Sequence, residues 1–576
     1  MERVCIFRRG GGDSAPDSRE RTPISFRYQK TRRAVARAFP QGWLFVALCG
    51  AAAVAFFFRA QIANGFTLLY GDRYDGVITI SILEHWYNVL RGQAFPFDTF
   101  AFFPHPATLG YNDGYLLQGL LYAPLRALGA DPFLAGELVS MLLRALCFAA
   151  SYGAARRIFS LGRGWAVLAA ILITISDNMQ MQALHAQLFS VGFAPVLALL
   201  LAQCVTAMAA GRSRALFGWG VASALFLAAW LMTGFYMAWF FLFFILIAFA
   251  AWLAQAEPAR RRLVLRRIKR ERRALLGIAA CALLFATPFL ALYLPKAIET
   301  GQHSYAEAFA NTLSLWDLPN SGPGNLLFGG VETWLRGLAG LSTPAWSEQM
   351  TGLPPLLLAL FARAQIWLWS PKRKHHLLLR VLSAATLTVW LLTLHIGAFS
   401  LWASVYYLIP GAGAIRVVSR YQLFLTLPVI AITLCWLAQA RLTLPLRLVL
   451  CGLLLLGEIN TAPPLALDRP HELARLRALP SPPAGCRAFA ATAARGETLA
   501  GAFVDGVYSH NVDAMLIAET IRLPTINGFA TFVPPQWNLN NPAQHDYPAR
   551  VRAYAKAHNI TGLCGLDLRT LRWSGP

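Results

Sequence analysis

Two stretches of the chain carry residue types whose spacing suits group transfer. The first runs GDRYDGVITISILEHWYNVLRG and then FPFDTFAFFPHPATLGYNDGYLL, gathering Asp72, Asp75, Glu84, His85, Asp98, His105 and Asp113 among apolar and aromatic neighbours. Asp72 and Asp75 stand between Gly71 and Gly76, so a tight turn would aim both carboxylates into one pocket. One carboxylate there can take the proton of an acceptor hydroxyl, and the second can orient that hydroxyl or share a divalent cation. Asp75 equally suits the N-cap of a helix beginning at Gly76. Glu84 lies roughly 13 Å further along such a helix, too far for a carboxylate pair with Asp75, and needs another partner. His85, beside Trp86, suits an interfacial side chain better than a metal ligand. His105 between Pro104 and Pro106 suits a rigid turn, and Asn112 and Asp113 suit the start of a following helix. Asp72 and Asp75 are the catalytic candidates; Glu84, His85, His105 and Asp113 are candidate substrate contacts.

The second stretch is IPGAGAIRVVSRYQLF. On a helix Arg416 and Arg420, four apart, share a face, and after a Gly-rich turn such a pair suits bidentate capture of a phosphate or pyrophosphate headgroup. The plainer alternative is that both snorkel to lipid headgroups where a span begins.

What must position these residues is a membrane. The chain has 576 residues, 56% hydrophobic and only 14% charged, with a mean hydropathy of +0.48. A soluble protein carries nearer ~25% charged residues, so the composition predicts an α-helical polytopic membrane protein. The net charge of +23 does not point to nucleic acid. The basic residues flank apolar runs, where topology and anionic lipids account for them.

Apolar stretches of ~17–25 residues mark the spans. They fall near 41–58, 133–155, 164–180, 188–210, 215–232, 235–256, 274–294, 354–370, 381–400, 421–440 and 445–460, about eleven in all. Basic clusters occupy alternate gaps: Arg8/Arg9/Arg32/Arg33/Arg37, Arg156/Arg157/Arg163, Arg212/Arg214, Arg260 to Arg273, Lys372/Arg373/Lys374/Arg380 and Arg441/Arg447. The positive-inside rule makes that side cytoplasmic. An N-terminus inside and a C-terminus outside follow, in a plasma (inner) membrane. The first span follows a long basic head and keeps no clean cleavage pattern, so it reads as an anchor.

Three domains are expected: a cytoplasmic basic head over 1–40, disordered by composition; a transmembrane domain over 41–460, whose first exported loop spans 59–132; and a small exported α/β domain over 461–576. Residues 116–130 are short for a span and broken by Pro124, so they read as an interfacial helix, and 77–90 as a second one. Pro463, Pro464, Pro480, Pro482 and Pro483 mark a linker into the tail. There CRAFAATA and ITGLCGLD read as strands and 547–558 as a helix. Cys486 and Cys564 fall in those strands, and a disulfide and two buried thiols are equally compatible with that placement. No P-loop or dinucleotide fingerprint is present.

In layout the chain resembles the GT-C superfamily of polyprenol-phosphate-sugar-dependent glycosyltransferases, which includes the protein mannosyltransferases and the lipid A aminoarabinose transferases. The likeness covers residues 41 to about 440 and rests on GDRYD, FFPHPATLGYND and IRVVSRY. It departs from the superfamily in lacking an adjacent Asp-Glu pair after the first span and the HPP sequence of the mannosyltransferases. The resemblance implies an integral membrane glycosyltransferase that moves a sugar, with inversion, from a polyprenyl-phosphate donor to an acceptor hydroxyl on the exported side. Glycan, lipid or protein would be the acceptor. Asp72 or Asp75 would be the base, and Arg416 and Arg420 would hold the lipid phosphate. Rival readings from the same layout are a lipid-linked saccharide flippase or a non-catalytic envelope-biogenesis protein. No internal repeat supports a transporter, though Arg144, Asp177 and His185 suit a substrate path in either case.

Overall fold

The computed structural model describes residues 41–371, 376–462, 466–497 and 505–575. The expected basic head over 1–40, the cluster at Lys372/Arg373/Lys374, and the linker prolines Pro463 and Pro464 lie outside the described residues. The chain divides into two compact units, Met1–Cys49 and Gly50–Pro576. The described part of the first is the start of helix α1 (Gln41–Phe57), whose residues are nearly all apolar.

The second unit is built on α2 (Asp75–Leu90), α3 (Leu116–Ala127), α4 (Pro132–Arg157), α5 (Arg163–Thr174), α6 (Phe193–Ala209), α7 (Ser213–Leu231), α8 (Phe235–Gln255), α9 (Pro258–Arg270), α10 (Arg272–Thr300), α11 (Gly329–Leu338), α12 (Pro355–Leu368), α13 (Leu377–Thr393), α14 (Tyr421–Gln439) and α15 (Leu444–Gly457). Six described helices are long and apolar enough to cross a membrane: those ending at Arg157, Ala209, Leu231, Gln255, Thr300 and Gln439. Four shorter apolar helices, Gly42–Phe57, Pro355–Leu368, Leu377–Thr393 and Leu444–Gly457, fall where spans were expected. Helix α14 sits in the centre with nearly every side chain buried, whereas α10 buries only Leu292 and Lys296 along its length, as a helix with one face toward lipid would.

Two spans differ from expectation. The stretch 164–180 ends its helix at Thr174 and restarts at Asp177, whose carboxylate is buried and accepts from Asn460 Nδ2 at 2.9 Å. The stretch 381–400 stops at Thr393, because His395–Ile396 pairs antiparallel with Phe399–Ser400 around Gly397 at φ +57°.

Helix α3 is entered by Tyr115 and Leu116, whose N–H groups donate to Thr233 and Met232 carbonyls at the end of α7. Helix α2, expected in the interface, is instead buried over most of its length. Gly119 of α3 packs so closely on Trp86 that a Cβ there would lie 2.5 Å from the Trp86 side chain.

The residues after 460 interleave with the first loop. Strand β1 (Leu68–Tyr70) pairs antiparallel with β2 (Ala466–Asp468), Leu68 opposite Asp468. Helix α16 (Arg469–Ala478) follows. Strands β3 (Ala488–Ala493) and β4 (Leu563–Asp567) run parallel, and β5 (Arg572–Ser574) adds antiparallel to β4. The two strands read from CRAFAATA and ITGLCGLD are therefore sheet neighbours. Helix α17 (His510–Ile521) packs on α2, and α18 (Tyr547–Ala557) forms where helical periodicity was read. Cys486 and Cys564 are joined as a disulfide.

Candidate functional site

The GDRYDG segment folds into the tight turn its glycines allow. Gly71 takes φ +110°, and a Cβ on Gly76 would stand 3.3 Å from the Gly71 Cα, so the two ends of the turn touch. Asp72 Oδ1 accepts from the N–H groups of Tyr74 at 2.9 Å and Gly76 at 3.2 Å. The helix begins at Asp75 itself, with no side-chain cap from its N-cap residue Tyr74. The capping role weighed for Asp75 thus falls to Asp72, which satisfies the first donors of α2 and leaves Asp75 free to reach outward.

Asp75 Oδ2 lies 3.0 Å from His185 Nδ1. His185 Nε2 lies 3.7 Å from Glu348 Oε1. Glu348 is held on its other side by Arg420, whose Nε and NH2 donate to the two carboxylate oxygens at 3.1 and 2.9 Å. The Arg416 guanidinium stands 3.9 Å from Glu348. Five groups therefore form one line, Asp75–His185–Glu348–Arg420/Arg416. Its ends are open and its middle is closed: the side chains of Asp75 and Arg416 are 39% and 46% exposed, those of His185 and Arg420 5% and 7%.

Each member has a local support. Thr79 Oγ1 donates to the Asp75 carbonyl at 3.0 Å and contacts Tyr115 Oη, which donates to Gln187 Oε1 at 2.8 Å, bracing the start of α2 against the His185 loop. Trp346 packs on the His185 ring and its Nε1–H donates to the Met181 carbonyl at 2.8 Å. The Arg416 N–H donates to Tyr236 Oη at 2.8 Å. Arg416 and Arg420 do not share a helical face: Ile415 is extended and a 3₁₀ turn begins only at Val418. They meet because both guanidinium groups converge on one carboxylate. Gly411, at φ +81° against Trp239, makes the preceding bend possible.

The electrostatics separate the two aspartates. Burial raises the Asp75 carboxyl, but the His185 hydrogen bond and the charges of His185, Arg420 and Arg416 outweigh it and hold Asp75 below the usual carboxylate range. Asp72 moves the other way, raised by burial and by the neighbouring Asp75 charge despite its two backbone N–H partners. Asp113 is pushed up to about 6 by burial and accepts from the Phe235 N–H at 2.8 Å, starting α8 rather than α3. Tyr508 comes from the tail, edge-on to Tyr74 at 5.4 Å, and burial together with the Asp75 charge pushes its hydroxyl up to about 12.

The other expected contacts lie elsewhere. Glu84 finds its partner in Arg126, with Tyr122 Oη donating to it at 2.5 Å, and ties α2 to α3. His85 is fully buried between Glu519 of α17, at 3.3 Å, and the Pro96 carbonyl, at 3.2 Å. His105 packs on His558 and Tyr554 in the tail, and burial together with the His558 charge lowers its pKa. Arg144 is buried against the rings of Phe57 and Phe189. Of the residues named for a substrate path, only His185 joins the line. Glu348, Tyr236, Trp346 and Tyr508 were not read from the sequence, where nothing in their spacing sets them apart.

A divalent cation does not suit this donor set. Among the described residues no three His, Cys, Asp or Glu side chains gather as ligands, and the Asp75 and Glu348 carboxylates already face His185 and Arg420.

No protein-family model matches the sequence, and no curated protein matches it. Among solved structures the chain is similar to the arabinofuranosyltransferase AftD from Mycobacteria, at 15% identity and a TM-score of 0.50, over 85% of this chain and 32% of that one. It is also similar to the Archaeoglobus fulgidus oligosaccharyltransferase, at 12% identity and a TM-score of 0.49, over 91% and 69%. A third similarity is to ArnT from Cupriavidus metallidurans, at 13% identity and a TM-score of 0.36, over 91% and 93%. The chain thus spans about a third of the AftD chain. At these identities the likeness shows the fold alone. With its long apolar helices, the chain is an integral membrane protein.

Proposed function

We propose that the protein is a GT-C-type membrane glycosyltransferase that moves a sugar from a polyprenyl-phosphate donor to an acceptor hydroxyl on the exported face, inverting the anomeric centre. The observation that carries this reading is the Asp75–His185–Glu348–Arg416/Arg420 line. It brings an acid from the first loop and arginines from a loop some 340 residues later within reach of one bound molecule.

The acceptor oxygen attacks the anomeric carbon while the bond from that carbon to the phosphate oxygen breaks, its electron pair leaving with the phosphate. The hydroxyl proton passes to the Asp75 carboxylate, which His185 orients. Arg416, the exposed guanidinium, meets the charge that develops on the leaving phosphate, and Arg420 holds Glu348 so that Arg416 stays aimed. Asp72 positions Asp75 by setting the first turn of α2. The disulfide between Cys486 and Cys564 agrees with an exported tail, since such bonds persist in oxidising compartments.

The test uses the purified full chain in lipid vesicles with a panel of radiolabelled short-chain polyprenyl-phosphate pentoses and hexoses, following release of polyprenyl phosphate. Turnover on one donor that is abolished by Asp75→Asn supports the reading. Undiminished release by Asp75→Asn and by Arg416→Gln alike would discard it.

A further inference from the structure

We propose that helix α9 is a docking surface for anionic phospholipid headgroups. It joins span α8, ending at Gln255, to span α10, beginning at Arg272, so both its ends are pinned at one membrane surface. Its sequence is PARRRLVLRRIKR, and no residue of it is buried.

Helical spacing sorts these residues. Arg262, Arg266 and Lys269 recur at i, i+4 and i+7 on one face, and the exposed Leu265 and Ile268 lie along one flank of that row. Leu265 and Ile268 are 57% and 41% exposed. Two of the cations have partners within the protein. Arg261 Nε donates to the Ala256 carbonyl at 2.8 Å, and Arg270 Nε to Glu271 at 3.0 Å. Glu271 is buried and bonded to Ser213 Oγ at the start of α7, which locks the end of α9 onto the neighbouring turn. Arg262, Arg266 and Lys269 form no hydrogen bond or ion pair with any described residue.

A row of like charges at i, i+4 spacing destabilises a helix unless counter-charges face it. The phosphates of an anionic leaflet supply them over the whole length of the row. A nucleic acid would match the charges as well, but it would leave the exposed leucine and isoleucine in water. A bilayer takes the basic row and its apolar flank at once, apolar side chains among the acyl chains and guanidinium groups among the headgroups. This inference does not depend on the proposed reaction or on which side of the membrane α9 occupies.

The experiment places the full-length chain in nanodiscs of phosphatidylcholine with or without phosphatidylglycerol and counts retained lipids by native mass spectrometry. The wild-type chain is expected to retain phosphatidylglycerol over phosphatidylcholine by about tenfold or more, less so as salt rises. Arg262→Gln/Arg266→Gln/Lys269→Gln should abolish the preference while leaving the thermal midpoint in neutral detergent unchanged. Arg262→Lys/Arg266→Lys should keep it. If the triple variant fails to fold, Arg266→Gln/Lys269→Gln measures the same loss. Equal retention of the two lipids, or an unaltered preference in the glutamine variants, overturns the proposal. So does displacement of phosphatidylglycerol by an RNA oligonucleotide at equal concentration.

Discussion

Asp75 and Asp72 differ by three positions and by almost everything else. One ends a charge line and is held anionic by His185; the other spends an oxygen on two backbone N–H groups and is raised by burial. The difference is measurable. If Asp75 is the base, Asp75→Asn lowers turnover by about 10²–10⁴-fold, and the acid limb of the kcat profile falls below the ordinary carboxylate value of about 4. An acid limb above that value would assign the proton to Asp72. His185→Gln, which removes the charge that depresses Asp75, should move the acid limb upward by a measurable fraction of a unit or more. Arg416→Gln should lower kcat and kcat/KM for the donor alike, by about tenfold or more, since hydrogen bonds to charged groups contribute roughly 1.5–3 kcal/mol and this one strengthens as the leaving phosphate gains charge.

At the scale of elements, the tail is what holds the acidic turn. Arg73 stands between the two aspartates but faces away from them, 3.1 Å from Glu497 and 4.0 Å from Glu472. Glu472 is gripped by both terminal nitrogens of the buried Arg495, at 2.8 and 2.9 Å, and Arg495 also reaches Asp513 at 3.4 Å. Removing one partner of such a buried pair strands the others, so Arg495→Met should cost about 3–5 kcal/mol and appear as a lowered unfolding midpoint in detergent. A second brace is pH-sensitive. Burial lowers the His85 pKa, but the charge and hydrogen bond of Glu519 outweigh it, and the net value is raised. A raised folded value means the contact stabilises fully below the unfolded pKa of about 6.5 and is lost as pH rises through the folded one. The unfolding midpoint should therefore fall as pH climbs above about 6.5, and His85→Gln should flatten that decline.

At the scale of the molecule, sidedness follows from contact. Asp75, His185, Glu348 and Arg416 come from four different gaps between helices, and they meet, so those gaps open on one face. The alternation of apolar runs had put the first loop, the turn after 180, the loop over 295–350 and the turn before 421 in the same phase, opposite the basic clusters. A cysteine introduced at the exposed Phe95 should be modified by an impermeant thiol reagent in intact cells, and one at the exposed Arg212 should not. The reverse pattern would invert the proposed orientation.

Composition and charge alternation alone determined that the chain is a helical membrane protein and where its principal apolar helices fall, and residue types and their spacing singled out GDRYDG and IRVVSR as the candidates for chemistry. Those properties are periodic or local: hydrocarbon demands a run of apolar residues, and a turn demands its glycines. The tertiary structure decided which acid is free, because only the fold of the turn commits Asp72 to the backbone. It also decided that α2 is buried, since the tail that covers it lies more than 400 residues away. His185 and Glu348 joined the site for the same reason. A carboxylate in a long loop and an imidazole in a short turn have no period to betray them, and their role exists only where separate gaps of the chain close on one point in space.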